Sequence, residues 1–83
     1  MFQEITYKMH SNVSIIYFVN MAQIKCVEAS RVDIEVQNCF DVNLRFGGEY
    51  SVNCRGVIAG GYEAINRFIN GDDATLFIDS TKL

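Results

Sequence analysis

Between Arg31 and Arg55 the chain alternates polar and apolar residues in three runs. They are Arg31-Val32-Asp33-Ile34-Glu35-Val36-Gln37, Phe40-Asp41-Val42-Asn43-Leu44-Arg45-Phe46 and Tyr50-Ser51-Val52-Asn53-Cys54-Arg55. Period-two alternation rich in β-branched and aromatic residues predicts half-buried strands. The loops set the register. A two-residue turn at Gly47-Gly48 would place Leu44 opposite Ser51 and Val42 opposite Asn53, mixing core with solvent on one face. A three-residue loop, Gly47-Gly48-Glu49, pairs Phe46 with Tyr50, Leu44 with Val52 and Val42 with Cys54, and glycine suits the left-handed position such a loop needs. The same argument makes Gln37-Asn38-Cys39 the preceding loop, with Val36 opposite Phe40, Ile34 opposite Val42 and Val32 opposite Leu44. The expectation is an antiparallel meander over 31–55 with one apolar face. Its other face carries the rows Glu35–Asp41–Arg55, Asp33–Asn43–Asn53 and Arg31–Arg45–Ser51. Such a face is solvated by default, and it is also a surface on which a partner can dock.

Beyond the meander the period changes. Tyr62, Ile65, Phe68 and Ile69 recur at helical spacing, Glu63 and Arg67 stand four apart in the favourable order, and Gly71 offers a helix stop. A helix is predicted at about 59–70, then a turn at Asp72-Asp73 and a strand over 74–79. In the N-terminal third, Ile5, Tyr7 and Met9 alternate and predict a strand at about 3–9, closed by a turn at His10-Ser11-Asn12. Val13 to Val19 suits either a strand over 13–20, buried on both faces, or a helix over 12–28 with Asn12 as N-cap. That helix would be apolar nearly all round, which favours the strand. Met21 to Glu28 has better helix propensity and reads as a short helix or a third strand. The fold class that results is α+β: one small domain, 1–83, with an antiparallel sheet of about five strands, its central meander at 31–55, packed on one helix at about 59–70. The core expected is Val32, Ile34, Val36, Phe40, Val42, Leu44, Phe46, Tyr50, Val52, Ile65, Phe68, Ile69, Leu76 and Ile78.

Composition narrows the function. Hydrophobic residues make up 49% of the 83 positions and charged residues 20%, enough apolar surface to offset the entropy of ordering. No apolar run approaches the ~18 residues of a spanning helix, and no basic amphipathic helix offers itself to a membrane surface. A formal charge of −3 argues against nucleic acid as a direct partner. No basic segment followed by an apolar stretch opens the chain, so a cytoplasmic protein is expected. Without secretion, the sequon Asn12-Val13-Ser14 carries no meaning.

Motifs for chemistry are weak. Cys26, Cys39 and Cys54 are odd in number and lack CxxC spacing, so buried thiols are expected rather than a disulfide framework or, with His10, a zinc site. Cys39 to Arg45 has the C-x₅-R spacing of a phosphatase loop, but the intervening residues are a strand, whose amides are committed to a ladder rather than to a phosphate. Gly56 to Gly61 lacks the GKS, GKT or GxGxxG of a nucleotide loop. Asp72-Asp73 reads as an acidic turn. No pair of carboxylates is placed in contrasting environments for acid–base work. The aromatic residues fall at core spacings without basic neighbours for base stacking. An enzyme would have to draw on His10, a cysteine or Asp72 and Asp73; no enzyme, cofactor or metal is expected.

What remains is a small acidic protein-binding module. Its expected form is a stand-alone inhibitor that occludes a partner protein, as immunity proteins, antitoxins and the phage or mobile-element proteins that block CRISPR effectors do. A basic nucleic-acid-binding complex is the partner that suits an acidic inhibitor. The contact surface expected is the polar sheet face with Asp33, Glu35, Asp41, Asn43, Glu49 and Asn53. The alternative is an assembly subunit forming a homodimer through an exposed edge strand or the apolar 13–19 segment.

Overall fold

The computed structural model describes residues 1–32 and 35–82. Among them, strands form at Phe2–Lys8 (β1), Ser14–Asn20 (β2), Ile24–Arg31 (β3), Cys39–Phe46 (β4), Ser51–Val57 (β5) and Thr75–Asp79 (β6), with one α-helix at Gly61–Ile69 (α1). The strands make one mixed sheet in the order β2-β1-β6-β5-β4-β3. The α+β class stands. The sheet has six strands rather than about five, and it is not wholly antiparallel, because β6 runs parallel to β1, with Ile5 beside Leu76 and Tyr7 beside Ile78.

The hairpin at Gly47-Gly48-Glu49 forms in the expected register. Leu44 faces Val52, Val42 faces Cys54, and the Phe46 amide donates to the Tyr50 carbonyl at 3.0 Å. The third strand of the meander differs. Residues 24–31, not 31–37, pair with β4, so Val27 faces Leu44, Ala29 faces Val42 and Arg31 faces Phe40. These are the places expected for Val32, Ile34 and Val36. Val32 is instead 37% exposed, and its amide closes the connection on the Cys39 carbonyl at 3.2 Å. Asp33 and Ile34 lie outside the described residues.

The N-terminal hairpin is regular, from Phe2 beside Asn20 to Lys8 beside Ser14. A 3₁₀ turn at Met21–Gln23, capped by the Asn20 side chain on the Ala22 amide at 3.2 Å, leads directly into β3. β6 completes the sheet from the middle: it joins the half β2-β1 to the half β5-β4-β3. Toward β5 its ladder holds a single position, Val57 beside Asp79. The Tyr7 hydroxyl crosses between the two halves to the Arg55 carbonyl at 3.2 Å.

The inner faces of both halves and the helix enclose one core, which includes Ile5, Val19, Phe40, Val42, Leu44, Cys54, Ile58, Ile65, Phe68, Leu76 and Ile78. Tyr50 and Ile69, expected in it, are exposed. The helix ends as its sequence directs. Gly71 takes φ 81°, the Asp72 amide reaches the Arg67 carbonyl at 2.8 Å and the Gly71 amide the Phe68 carbonyl at 3.2 Å, the two bonds of a Schellman stop. Gln3, a buried polar side chain, donates to the same Phe68 carbonyl at 2.7 Å, tying β1 to the last turn of the helix as a second donor to that oxygen. Arg67 pairs with Asp73 at 2.8 Å and holds its carboxyl below the usual range; at this exposure the pair stabilises little.

Candidate functional site

The sheet has two outer surfaces of opposite character. The first is the polar face of β3, β4 and β5. Asp41, Asn43 and Asn53 do come together there, in the rows Ser30–Asp41–Arg55 and Glu28–Asn43–Asn53. Ser30 and Glu28 occupy the positions expected for Glu35 and Asp33. Glu35 lies off the sheet between β3 and β4, Glu49 sits at the hairpin tip, and Asp33 is outside the described residues. The expected six-residue surface is therefore reduced to three of its members on one face.

Those groups are largely engaged with one another. Asn53 donates to Asp41 at 2.6 Å, Arg55 stands 3.6 Å from the same carboxylate, and Arg45 pairs with Glu28. With its amide oriented to satisfy both ends, Asn43 donates to the Val52 carbonyl at 3.3 Å and accepts from Arg45 at 3.1 Å. Each acid has a base or an amide against it. A partner would have to displace these contacts, and exposed pairs of this kind return little energy.

The second surface is the outer face of β2, β1 and β6, which sets four exposed apolar side chains among polar ones and ends in the polar row Ser14–Lys8–Asp79. Its rows run Phe18–Glu4–Thr75, Ile16–Thr6–Phe77 and Asn20–Phe2. Phe18 is 68% exposed, Phe2 67%, Phe77 66% and Ile16 50%. This reverses the expectation that 13–20 is buried on both faces. The helix and the second half-sheet cover the inner side, where Val19 is buried and Tyr17 half-buried, and no element among the described residues covers the outer side. Around the strand, an open groove of about 310 Å³ separates β2 from the hairpin, with Tyr17, Phe18, Phe46 and Tyr50 among its walls. The residues that carry this surface were half legible. The apolar run 13–19 is plain in the sequence, but Phe2 joins it through the antiparallel pairing of β1 with β2, and Phe77 only through the parallel pairing of β1 with β6.

β2 is also an edge strand. The opposite edge, β3, carries Lys25, Glu28 and Arg31 and has a register shift between Ile24 and Cys26, features that discourage pairing with another chain. β2 reads Ser-Ile-Ile-Tyr-Phe-Val-Asn, without a charge or a bulge.

Reactive chemistry finds little support in the geometry. Cys39 and Cys54 are fully buried, and burial pushes the Cys54 thiol up to about 11; Cys26 is exposed on the β3 edge. Among the described residues no cluster of three His, Cys, Asp or Glu stands ready to hold a metal, and no helix is long and apolar enough to cross a membrane. A thiol-disulfide reagent is expected to modify Cys26 rapidly and the other two only on unfolding, because attack requires an accessible thiolate. Equal reaction of all three in the folded protein would contradict the burial. The sign of the pH effect follows. The stabilising contribution of a neutral Cys54 is full below its ordinary value of 9.0 and is lost as pH rises toward 11.

Comparison of the chain with protein-family models, curated proteins and solved structures gives no match.

Proposed function

We propose that this protein is a non-enzymatic protein-binding module that docks through the β2 edge and the apolar outer face of β2, β1 and β6. One observation carries the reading: Phe2, Ile16, Phe18 and Phe77, half or more exposed, share one surface beside an unprotected strand edge. Large exposed apolar side chains gathered on one face mark an interaction site, and a free edge adds main-chain hydrogen bonds to whatever lies against it. The class is the one expected from composition, while the surface moves from the polar face to the apolar one. A module of this size acts by occupying a partner's surface, as an inhibitor does, or by tethering it.

The test is capture from a lysate of the source organism, supplemented with a differently tagged copy of the chain so that homotypic contact also registers. Wild type is compared with Phe18→Lys/Phe77→Lys and with Asn43→Lys on the polar face, at low and high salt. The expected result is a stoichiometric bound protein that survives high salt, because apolar contacts are not screened, is lost from the double variant and is kept by Asn43→Lys. Binding that disappears at high salt and from Asn43→Lys alone would return the site to the polar face.

A further inference from the structure

We infer that the strand which docks on β2 is the β2 of a second copy of this chain, placed antiparallel about a two-fold axis at Tyr17. The inference rests on the docking surface proposed above and names its occupant.

The ladder phase shows what the edge offers. The Met21 amide donates to the Met1 carbonyl at 3.0 Å, and the Met9 amide to the Val13 carbonyl at 2.7 Å. In an antiparallel pair, hydrogen-bonded and non-hydrogen-bonded positions alternate. The odd-numbered residues of β2 therefore turn their backbone groups toward β1, and Ser14, Ile16, Phe18 and Asn20 turn theirs to the free edge. These four are symmetric about Tyr17. A second β2 laid antiparallel pairs Ile16 with Phe18 of the copy and Ser14 with Asn20 of the copy, and the two-fold repeats both pairs. Every outward amide and carbonyl of the strand then finds a partner, and an isologous contact of this kind closes at two copies.

The side chains follow the same symmetry. Ser14 and Asn20 are polar ends, Ile15-Ile16 and Phe18-Val19 are apolar flanks, and Tyr17 is the centre. On the outer face Ile16 meets Phe18 of the copy twice, an aromatic–β-branched pair of the kind that stabilises sheets. The strand carries no charged side chain, so the −3 charge of each chain sets no like charges opposite one another along the contact. The outer rows then read Thr6–Ile16–Phe18–Glu4 and Lys8–Ser14–Asn20–Phe2 across the axis, again without like charges opposed. The area limits the contact to a weak association. Val13, Ile15, Ile16 and Phe18 are 52%, 37%, 50% and 68% exposed. Taking about 200 Å² for an aromatic side chain and about 150 Å² for an aliphatic one, the contact covers at most about 350 Å² per copy. That is roughly 700 Å² in all, short of the ~1,000 Å² at which stable specific interfaces begin, so the contact is a weak one. A reversible equilibrium between one and two chains is the form this dimer takes. The guarded β3 edge explains why addition stops at two rather than extending the sheet.

Two measurements test it. Sedimentation of the purified wild-type protein over two decades of micromolar concentration is expected to move from one chain mass to two, and Ile16→Lys is expected to hold it at one. Disulfide capture then reads the register. In a Cys26→Ser background, Tyr17→Cys places two thiols across the axis at a non-hydrogen-bonded position, where Cα atoms stand about 4.5 Å apart and a disulfide closes readily. Ile15→Cys places them about 13 Å apart along the strand, and it is expected to give at least tenfold less linked dimer. A wild-type protein that keeps one chain mass at every concentration overturns the inference whether or not the variants fold. So does an Ile15→Cys variant that links as readily as Tyr17→Cys. If such a monomer still held a lysate protein through Phe18 and Phe77, the docking surface would stand and the second copy alone would fall. If nothing were held, both would fall.

Discussion

Gly56→Ala is expected to destabilise the protein by about 3 kcal/mol, the upper end of what overpacking costs. A Cβ on Gly56 would lie 2.5 Å from the Asp79 carbonyl oxygen, 2.7 Å from its carbon and 2.9 Å from Ile78 Cγ2. Two of those atoms are backbone, so no rotamer change relieves the contact. The position makes the clash costly. Val57 beside Asp79 is the ladder position through which β5 meets β6, and Gly56 is its neighbour. Pushing the strands apart there separates the halves of the sheet. For a chain of 83 residues, stability of ~0.05–0.15 kcal/mol per residue amounts to about 4–12 kcal/mol, so the loss is a large fraction. It corresponds to a fall in Tm of about 12–24 °C at ~4–8 °C per kcal/mol. Gly47→Ala is the control. Its nearest atom beyond the adjoining residues is Lys25 Cε at 3.9 Å, and a change within about 0.5 kcal/mol is expected. Thermal and urea unfolding of the two variants decide the matter. A Gly56→Ala protein as stable as Gly47→Ala would mean that β5 and β6 do not approach as described.

The parts of this fold that were legible are those that local chemistry decides. A three-residue loop was the choice that kept Leu44, Val52, Val42 and Cys54 on one face, and the observed register obeys it. Gly71 ended the helix because a left-handed residue is needed there. The misread parts depend on partners far away in the chain. Residues 31–37 alternate without a miss, whereas 24–31 break the alternation at Cys26-Val27, so alternation pointed to the wrong strand for β4. The short loop favoured the nearer one, whereas the chain uses the one that leaves β2 through a single 3₁₀ turn. Likewise Leu76-Phe77-Ile78 announces a strand but not its place, and its parallel pairing with β1 is a long-range choice.

The candidate site shows the same division. Asp41, Asn43 and Asn53 were placed together because they belong to the legible hairpin, while Asp33 and Glu35 were assigned by the strand that does not pair there. The apolar run 13–19 was visible, but a sequence reports how apolar a strand is and not how many layers cover it. With one helix and two half-sheets sharing one core, the outer side of β2 is left without cover among the described residues.

That distinction gives the second large effect, a contrast between two phenylalanines. Phe40→Ala is expected to cost about 3–5 kcal/mol, as truncation of a buried aromatic does. Phe40 is 1% exposed, meets the Tyr62 ring edge-on at 4.7 Å, and lies 3.7 Å from the Cβ position of Gly61 at the start of the helix. Its loss opens a cavity at the start of α1, between β4 and the Tyr62 ring. Phe18→Ala removes the same atoms from a side chain that is 68% exposed. At concentrations too low for association its stability is expected to change by no more than about 0.5 kcal/mol, while capture through the apolar face is lost. The two variants thus separate holding the fold together from holding a partner. Unfolding of Phe18→Ala comparable to that of Phe40→Ala would place residue 18 in the core and remove the docking surface. Stability and binding that are both unchanged in Phe18→Ala would leave the outer face an uncovered surface with no occupant.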